Sequence, residues 1–323
     1  MAIIKELINN HHHIDILSKK CLSDRKFGNL LGDYQALVAI PDMHMFIHGS
    51  PQDCFQYGSK AMLGFLEQLR ELKYEYDYQG KKLAVVQLGD LYELRYPHPV
   101  TGNKVTDLDI KKSHPVYTRI LNLLEELQTT FIFGNHDYEM SRRSNFCSGK
   151  TIGQVYLEHG YRGDRWYHFS NPETLIWSPS MKVYSKLRRW EAKLNNIRKK
   201  IQLLDEGRQA VIGIKAGDKI RASVGSTGNY PKGQLAYYTG KLIDRIENSA
   251  PIKAVITAHS HTPLIHHNAQ NDLLYIDAGA WTEGRSDFAV LTNDEISLCR
   301  YRRESARIMV PVSRSAARPQ LAF

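Results

Sequence analysis

The sequence contains no apolar stretch approaching the roughly 20 residues needed to cross a bilayer as a helix. Met1 to His13 lacks the basic start, apolar run and small-residue cleavage site of a secretory leader. Cysteine is scarce: Cys21, Cys54, Cys147 and Cys299 are scattered, with no close pair to form a zinc knuckle or a redox motif. Internal repeats and low-complexity tracts are missing as well, which excludes solenoids and linker-like chains. These absences point to a reducing, cytoplasmic compartment, with contact to a membrane no closer than peripheral. Apolar residues make up 42% and charged residues 24% of the 323, close to the globular average, so disorder and fibres are excluded too.

Charge is the first positive signal. Lys and Arg number 43 against 34 Asp and Glu, and the excess is concentrated. Between Lys182 and Arg208 stand nine basic and three acidic residues, while the remainder is nearly balanced. One basic segment on a neutral body suggests an anionic partner: a nucleotide, a nucleic acid or a lipid head group.

Short β-branched runs alternate with longer helical patterns. Strands are expected at Ala36–Ile40, Leu83–Leu88, Thr130–Phe133, Gln154–Leu157 and Ala254–Thr257. Helices are expected at Ser59–Lys73, Val116–Gln128 and Gln234–Glu247, where apolar residues recur every three or four positions. This alternation predicts a layered α/β architecture. Residues Leu273 to Arg300 are strand-rich without intervening helices, and a second sheet is expected there. The expected organisation is an N-terminal helical extension over 1–35, a main domain over 36–301, and a basic, loosely ordered tail over 302–323.

The main domain is interrupted over about 177–231. Within it Val183, Leu187, Trp190, Leu194, Ile197, Ile201 and Leu204 keep a strict four-three spacing. Lys182, Lys186, Arg189, Lys193 and Lys200 each precede a member of that stripe. On a helix this is an apolar seam with a basic flank. It reads as a lid packing on the body, as a homodimer seam, or as a surface for anionic lipids.

The chemistry gathers where strands should end. Asp42 and His44 follow the first strand, Gly89-Asp90 the second, and Gly134-Asn135-His136-Asp137 the third. His159-Gly160 and His259-Ser260-His261 follow the next two. In α/β sheets ligands bind beyond the carboxyl ends of strands, so these loops could share one crevice. Neutral imidazole, carboxylate and one amide oxygen suit divalent first-row metals, and cysteine-free donors argue against a structural zinc. Seven donors are too many for one ion. Two ions about 3.5–4 Å apart can hold a phosphoryl group and activate a water between them, with a carboxylate such as Asp90 joining them. Each motif alone is weak, since Gly-Asp is ordinary turn chemistry and a single His is usually structural. Their joint order at successive strand ends is what carries the reading.

That order, Asp-x-His, Gly-Asp, Gly-Asn-His-Asp, His-Gly, His-x-His, resembles the calcineurin-like metallophosphoesterase superfamily over about Ala36 to Leu291. The resemblance implies a four-layer α/β/β/α sandwich with a helical basic insertion acting as a lid. It implies two divalent ions, manganese foremost, with iron, zinc, cobalt or nickel also suited to the donors. Asp42, His44, Asp90 and His261 would surround one ion; Asp90, Asn135, His159 and His259 would surround the other. It makes His136 the residue that meets the phosphoryl group and helps the leaving group depart, with Asp137 orienting it. Two positions differ from the family pattern: Ala258 stands where the final motif usually opens with Gly, and Asp277 where Asn is frequent.

Gly-Asp-Leu-Tyr-Glu and the late Gly-Ala-Trp-Thr-Glu segment are partly similar to the UDP-2,3-diacylglucosamine hydrolase branch, which however has Arg where this chain has His136. The expected activity is hydrolysis of a phosphodiester or pyrophosphate by metal-activated hydroxide, on a nucleotide-sugar or lipid-linked substrate. A nuclease or nucleotide phosphodiesterase is the alternative within the class, and a non-catalytic scaffold the alternative outside it. Arg162, Lys186, Arg189 and Lys193 are the expected contacts to the anionic substrate.

Overall fold

The computed structural model describes residues 14–22, 29–161, 252–268, 273–282 and 284–302. The strands are β1 (Ile14–Cys21), β2 (Ala36–Ile40), β3 (Leu83–Gln87), β4 (Thr130–Ile132), β5 (Phe146–Cys147) and β6 (Lys150–Ile152). They continue as β7 (Val155–Leu157), β8 (Ala254–Thr257), β9 (Leu264–Asn268), β10 (Leu273–Asp277), β11 (Asp287–Thr292) and β12 (Glu295–Tyr301). Three helices, α1 (Ser59–Tyr78), α2 (Asp107–Ser113) and α3 (Pro115–Glu126), lie between β2 and β4. The strands form two sheets, ordered β1-β12-β11-β2-β3-β4-β5 and β6-β7-β8-β10-β9.

The alternation of side chains along β2 sets the layers. Ala36, Val38 and Ile40 join a core with Phe65, Leu69, Ile120 and Leu124 of the helices. Leu37 and Ala39 point the other way, into a second core with Val155, Ile256, Leu274 and Ile276 of the second sheet. Every residue of β2 and β3 is buried, as parallel strands covered on both faces require. The outer face of the second sheet carries a small cluster of Val255, Leu273 and Tyr275. The architecture is therefore mixed α/β with two stacked sheets, as expected. The basic insertion over about 177–231 and the helix at Gln234–Glu247 lie outside the described residues.

Helix α1 buries Met62, Phe65, Leu66, Leu69, Leu72 and Tyr76, a three-four stripe that fixes which face meets the sheet. It stops where Gly80 takes φ +68° and the Lys81 amide bonds the Tyr76 carbonyl at 2.8 Å, closing a Schellman turn. Helix α3 starts on Pro115, with the His114 side chain accepting from the Val116 amide. Among the described residues no helix is long and apolar enough to cross a membrane.

Two expectations are corrected. The N-terminal extension is not helical where it is described: Ile14–Cys21 is a strand, antiparallel to β12 from Ile14 opposite Tyr301 to Cys21 opposite Glu295. Without it β12 would leave a row of unpaired backbone groups at the sheet edge. The strand-rich stretch after Leu273 does not build a sheet of its own either. β10 pairs with β8 and β9 in the second sheet, while the β11–β12 hairpin inserts into the first between β2 and β1. The hairpin is buried along nearly its whole length, as its place in the interior of the larger sheet requires.

Candidate metal centre

The parallel strands β2, β3 and β4 in one sheet and β7 and β8 in the other end at the same edge of the sandwich. Each carboxyl end carries one motif. Asp42 and His44 leave β2, Asp90 leaves β3, and Asn135 and His136 leave β4; His159 leaves β7, and His259 and His261 leave β8. Backbone bonds tie the loops together: the Asp90 carbonyl accepts from the amides of Met43 at 3.1 Å and His44 at 2.8 Å.

The turns are strained in a way that marks the site. His44, Asp90, His259 and His261 have φ of 48°, 49°, 73° and 57°, and the only other non-glycine residue at positive φ among those described is Gln128. Such a conformation costs an ordinary residue about 1–2 kcal/mol and clusters where surrounding structure over-determines it. The glycines serve close approach more than turning. A Cβ on Gly134 would lie 2.1 Å from Asp90 Oδ1, and one on Gly89 would lie 2.8 Å from the His159 ring. The fully buried Gln87 braces this turn, donating to the Gly89 carbonyl at 2.7 Å and accepting from its amide at 3.1 Å.

Two donor groups result, and a third overlaps both. Asp42, His44 and His261 offer ligand atoms within 4.8 Å of one another, as do Asp90, His159 and His259; His44, Asp90 and His136 form the third. In the first, His261 Nε2 is 2.9 Å from Asp42 Oδ2 and 3.3 Å from His44 Nε2. In the second, His159 Nε2 is 3.2 Å from Asp90 Oδ2 and 3.0 Å from Asn135 Oδ1. Asp90 Oδ2 also lies 3.6 Å from His44 Nε2, so this one carboxylate faces both groups. The seven residues expected as ligands are thus brought together.

The electrostatics follow from packing anions and imidazoles out of water. Burial alone would raise the Asp42 carboxyl, but His159, His261 and His44 outweigh it and hold it well below the usual range. Asp90 is likewise lowered, with His159 and His136 overcoming its burial. His159 is driven to about 9, since Asp90 and Asp42 more than offset burial. The donor set fits divalent ions on its own terms. Asp42 Oδ2 is buried and faces the Nε2 atoms of His261 at 2.9 Å and His44 at 3.7 Å. The facing Nε2 atoms of His44 and His261 place two lone-pair sites around one point, which a shared cation satisfies.

His136 stands at the margin of both groups. Its amide donates to Asp90 Oδ1 at 2.8 Å and its ring centroid lies 4.4 Å from that of His44. The carboxylate bonded to its Nδ1 is Glu93, which also lies 3.5 Å from His44 Nδ1. This corrects the role expected for Asp137. That carboxylate instead accepts from the amides of Gly134, Leu91 at 2.8 Å and Tyr92 at 3.3 Å. It staples the β3 and β4 loops to each other, and burial together with Asp90 pushes it up to about 7. The Arg95 guanidinium meets His136 Nε2, and burial and Arg95 together press the ring down to about 4. The sequence places Glu93 and Arg95 just beyond the Asp90 motif without assigning either a role. The signal was their place, three and five residues beyond Asp90 on the same tight loop. Arg162, Lys186, Arg189 and Lys193 lie outside the described residues.

The model of the calcineurin-like phosphoesterase family matches residues 36–263. No curated protein sequence matches significantly. Among solved structures the chain is similar to a dimetal phosphatase from Danio rerio, at 10% identity, covering 84% of this chain and 97% of the other with a TM-score of 0.41. It is similar to a predicted phosphoesterase from Streptococcus pneumoniae at 12% identity, covering 82% and 88% with a TM-score of 0.33. Vps29 from Entamoeba histolytica aligns at 12% identity over 83% and 92%, with a TM-score of 0.34.

Proposed function

The chain belongs to the calcineurin-like phosphoesterase family and is a metal-dependent phosphoester hydrolase, and from that premise we propose a dinuclear centre that cleaves a phosphodiester or pyrophosphate bond. Asp42, His44, Asp90 and His261 would hold one divalent ion, and Asp90, Asn135, His159 and His259 the other. The observation that carries this reading is the two-sided position of Asp90, with one carboxylate oxygen facing His44 at 3.6 Å and His159 at 3.2 Å. Bound ions would supply Lewis acidity to the phosphoryl oxygens and an activated water.

The remaining work falls to this chain's own side chains. Glu93 fixes the His136 ring through Nδ1, setting the tautomer so that Nε2 faces outward. Arg95 donates to that Nε2 in the absence of substrate. A phosphoryl oxygen is a stronger acceptor for guanidinium than a neutral imidazole. Its arrival draws Arg95 away; Nε2, no longer facing the guanidinium, takes up a proton from solvent, Glu93 stabilises the imidazolium so formed, and Nε2 passes that proton to the departing oxygen. Asp137 keeps the two loops in register through backbone amides alone. A nucleotide-sugar or lipid-linked substrate fits the basic insertion, and Arg162, Lys186, Arg189 and Lys193 are the residues we propose to meet its anionic part.

The test is a screen of manganese-reconstituted protein on bis-p-nitrophenyl phosphate, p-nitrophenyl phosphate, UDP-sugars and single-stranded DNA. Faster turnover of the diester and the UDP-sugar is expected. Preference for the monoester would contradict the bond assignment, and preference for DNA would favour the nuclease reading.

A further inference from the structure

The turn that carries His259 and His261 has no glycine to relieve it, and both histidines sit at positive φ. The residue between them is anchored from behind. Ser260 Oγ donates to Asp277 Oδ2 at 2.5 Å and accepts from the Thr262 amide at 3.1 Å. Asp277 ends β10 beside Thr257 of β8, and its other oxygen accepts from the Gly279 amide at 3.0 Å. Both partners are buried, Asp277 at 2% and Ser260 at 8% exposure. The Asp277 hydrogen bond ends on the residue whose two neighbours belong to different donor groups.

Two left-handed residues flanking one serine persist only where the surrounding structure imposes them. Released, the turn would relax and swing the two imidazoles away from Asp42 and Asp90. The Asp277–Ser260 bond opposes that relaxation, assisted by Arg285, which donates to the His261 carbonyl. Resting on the dinuclear reading above, we propose that Asp277, acting through Ser260, is a positioning residue that holds His259 and His261 in the geometry that binds metal.

Its conservative replacement is informative. In Asp277→Asn the amide oxygen can still accept from Gly279, while the amide nitrogen donates to Ser260 Oγ. The serine proton then turns to the Thr262 carbonyl, 3.4 Å away. Asn therefore preserves the anchor, whereas Ala removes it.

The experiment is calorimetric titration of metal-stripped protein with Mn²⁺, beside the melting temperature of the same samples without metal. Asp277→Ala and Ser260→Ala should each weaken binding by roughly 10–100-fold, the usual loss when a partner behind a ligand is removed. The double variant should be no weaker than the worse single one, because both delete the same link. Asp277→Asn should stay within a few-fold of the wild type. Tyr275→Phe, which removes the neighbouring bond to Thr257 (2.8 Å) without touching the turn, should bind normally. Unchanged binding in Asp277→Ala and Ser260→Ala, with a wild type that binds, would overturn the inference alone. Equal weakening in Tyr275→Phe would overturn it as well, by making the effect general loosening of the sheet. A wild type that takes up no Mn²⁺ would overturn the metal reading and this inference with it.

Discussion

His136 is held by three charged neighbours: Glu93 at Nδ1, Arg95 at Nε2, and Asp90, whose Oδ2 lies 3.8 Å from Nε2. Both its ring nitrogens are engaged, by Glu93 and Arg95, and the proton-delivery role proposed for it predicts that His136→Ala keeps both metals. Turnover should fall by roughly two to four orders of magnitude, the scale of a general acid or oxyanion stabiliser. Loss of a metal equivalent in that variant would make His136 a ligand instead. Glu93→Gln leaves an acceptor oxygen at Nδ1 but removes the negative charge between His136 and His44. We expect kcat to fall by roughly 10- to 100-fold on a substrate whose leaving group needs a proton. KM and metal content should stay near the wild type. A rise in KM alone, with kcat preserved, would place Glu93 in substrate binding.

At the scale of elements, the loop after β2 is coupled to α3 through a buried acid. Asp53 accepts from the Tyr117 hydroxyl and, at 3.4 Å, from the Phe46 amide, two residues beyond His44. Burial pushes its carboxyl up to about 6 from an ordinary 3.8, against the pull of Tyr117 and nearby amides. The native state therefore binds this proton more tightly than the unfolded chain. Its contribution to stability is full below pH 4 and is lost as pH rises through 6. A shift of this size corresponds to about 3 kcal/mol. Asp53→Asn should gain on the wild type in melting temperature between pH 4 and pH 7, by several degrees. A difference that stays flat across that range would refute the coupling.

The elements legible in the sequence were those whose register is dictated locally. Ala36–Ile40 and Ala254–Thr257 are wholly apolar or β-branched, and both strands begin and end where expected. β1 was not legible because its exposed Ser18 and Lys19 and half-buried Lys20 hide the alternation, and its strand character comes from β12, some 280 residues away. The sheet that β11 and β12 join depends on the same long-range pairing. The seven donors were legible because each sits beside its own strand end. Glu93 is visible in the sequence only as a neighbour of the Asp90 motif; its bond to His136 depends on how the β3 and β4 loops fold together. Asp277 was visible only as a departure from a pattern, and its partner Ser260 was hidden between two histidines.

For the whole molecule, two cores flank the larger sheet, with Phe65, Leu69 and Phe288 on one side and Leu37, Ile256 and Ile276 on the other. A core of this extent stands without ions, unlike small modules that unfold when metal is removed. EDTA should abolish turnover while the chain keeps a cooperative melt. Loss of that melt would mean the ions hold the fold together. The claim on which the account turns is that Asp90 joins two metal groups into one hydrolytic centre. The most direct measurement is the metal content of wild type and Asp90→Asn after reconstitution with Mn²⁺ and desalting, read beside turnover of bis-p-nitrophenyl phosphate. An amide supplies one neutral oxygen where the carboxylate supplies two charged ones. The wild type should carry two equivalents, and Asp90→Asn one or fewer, with turnover near background. Two full equivalents and ordinary turnover in Asp90→Asn would contradict the account.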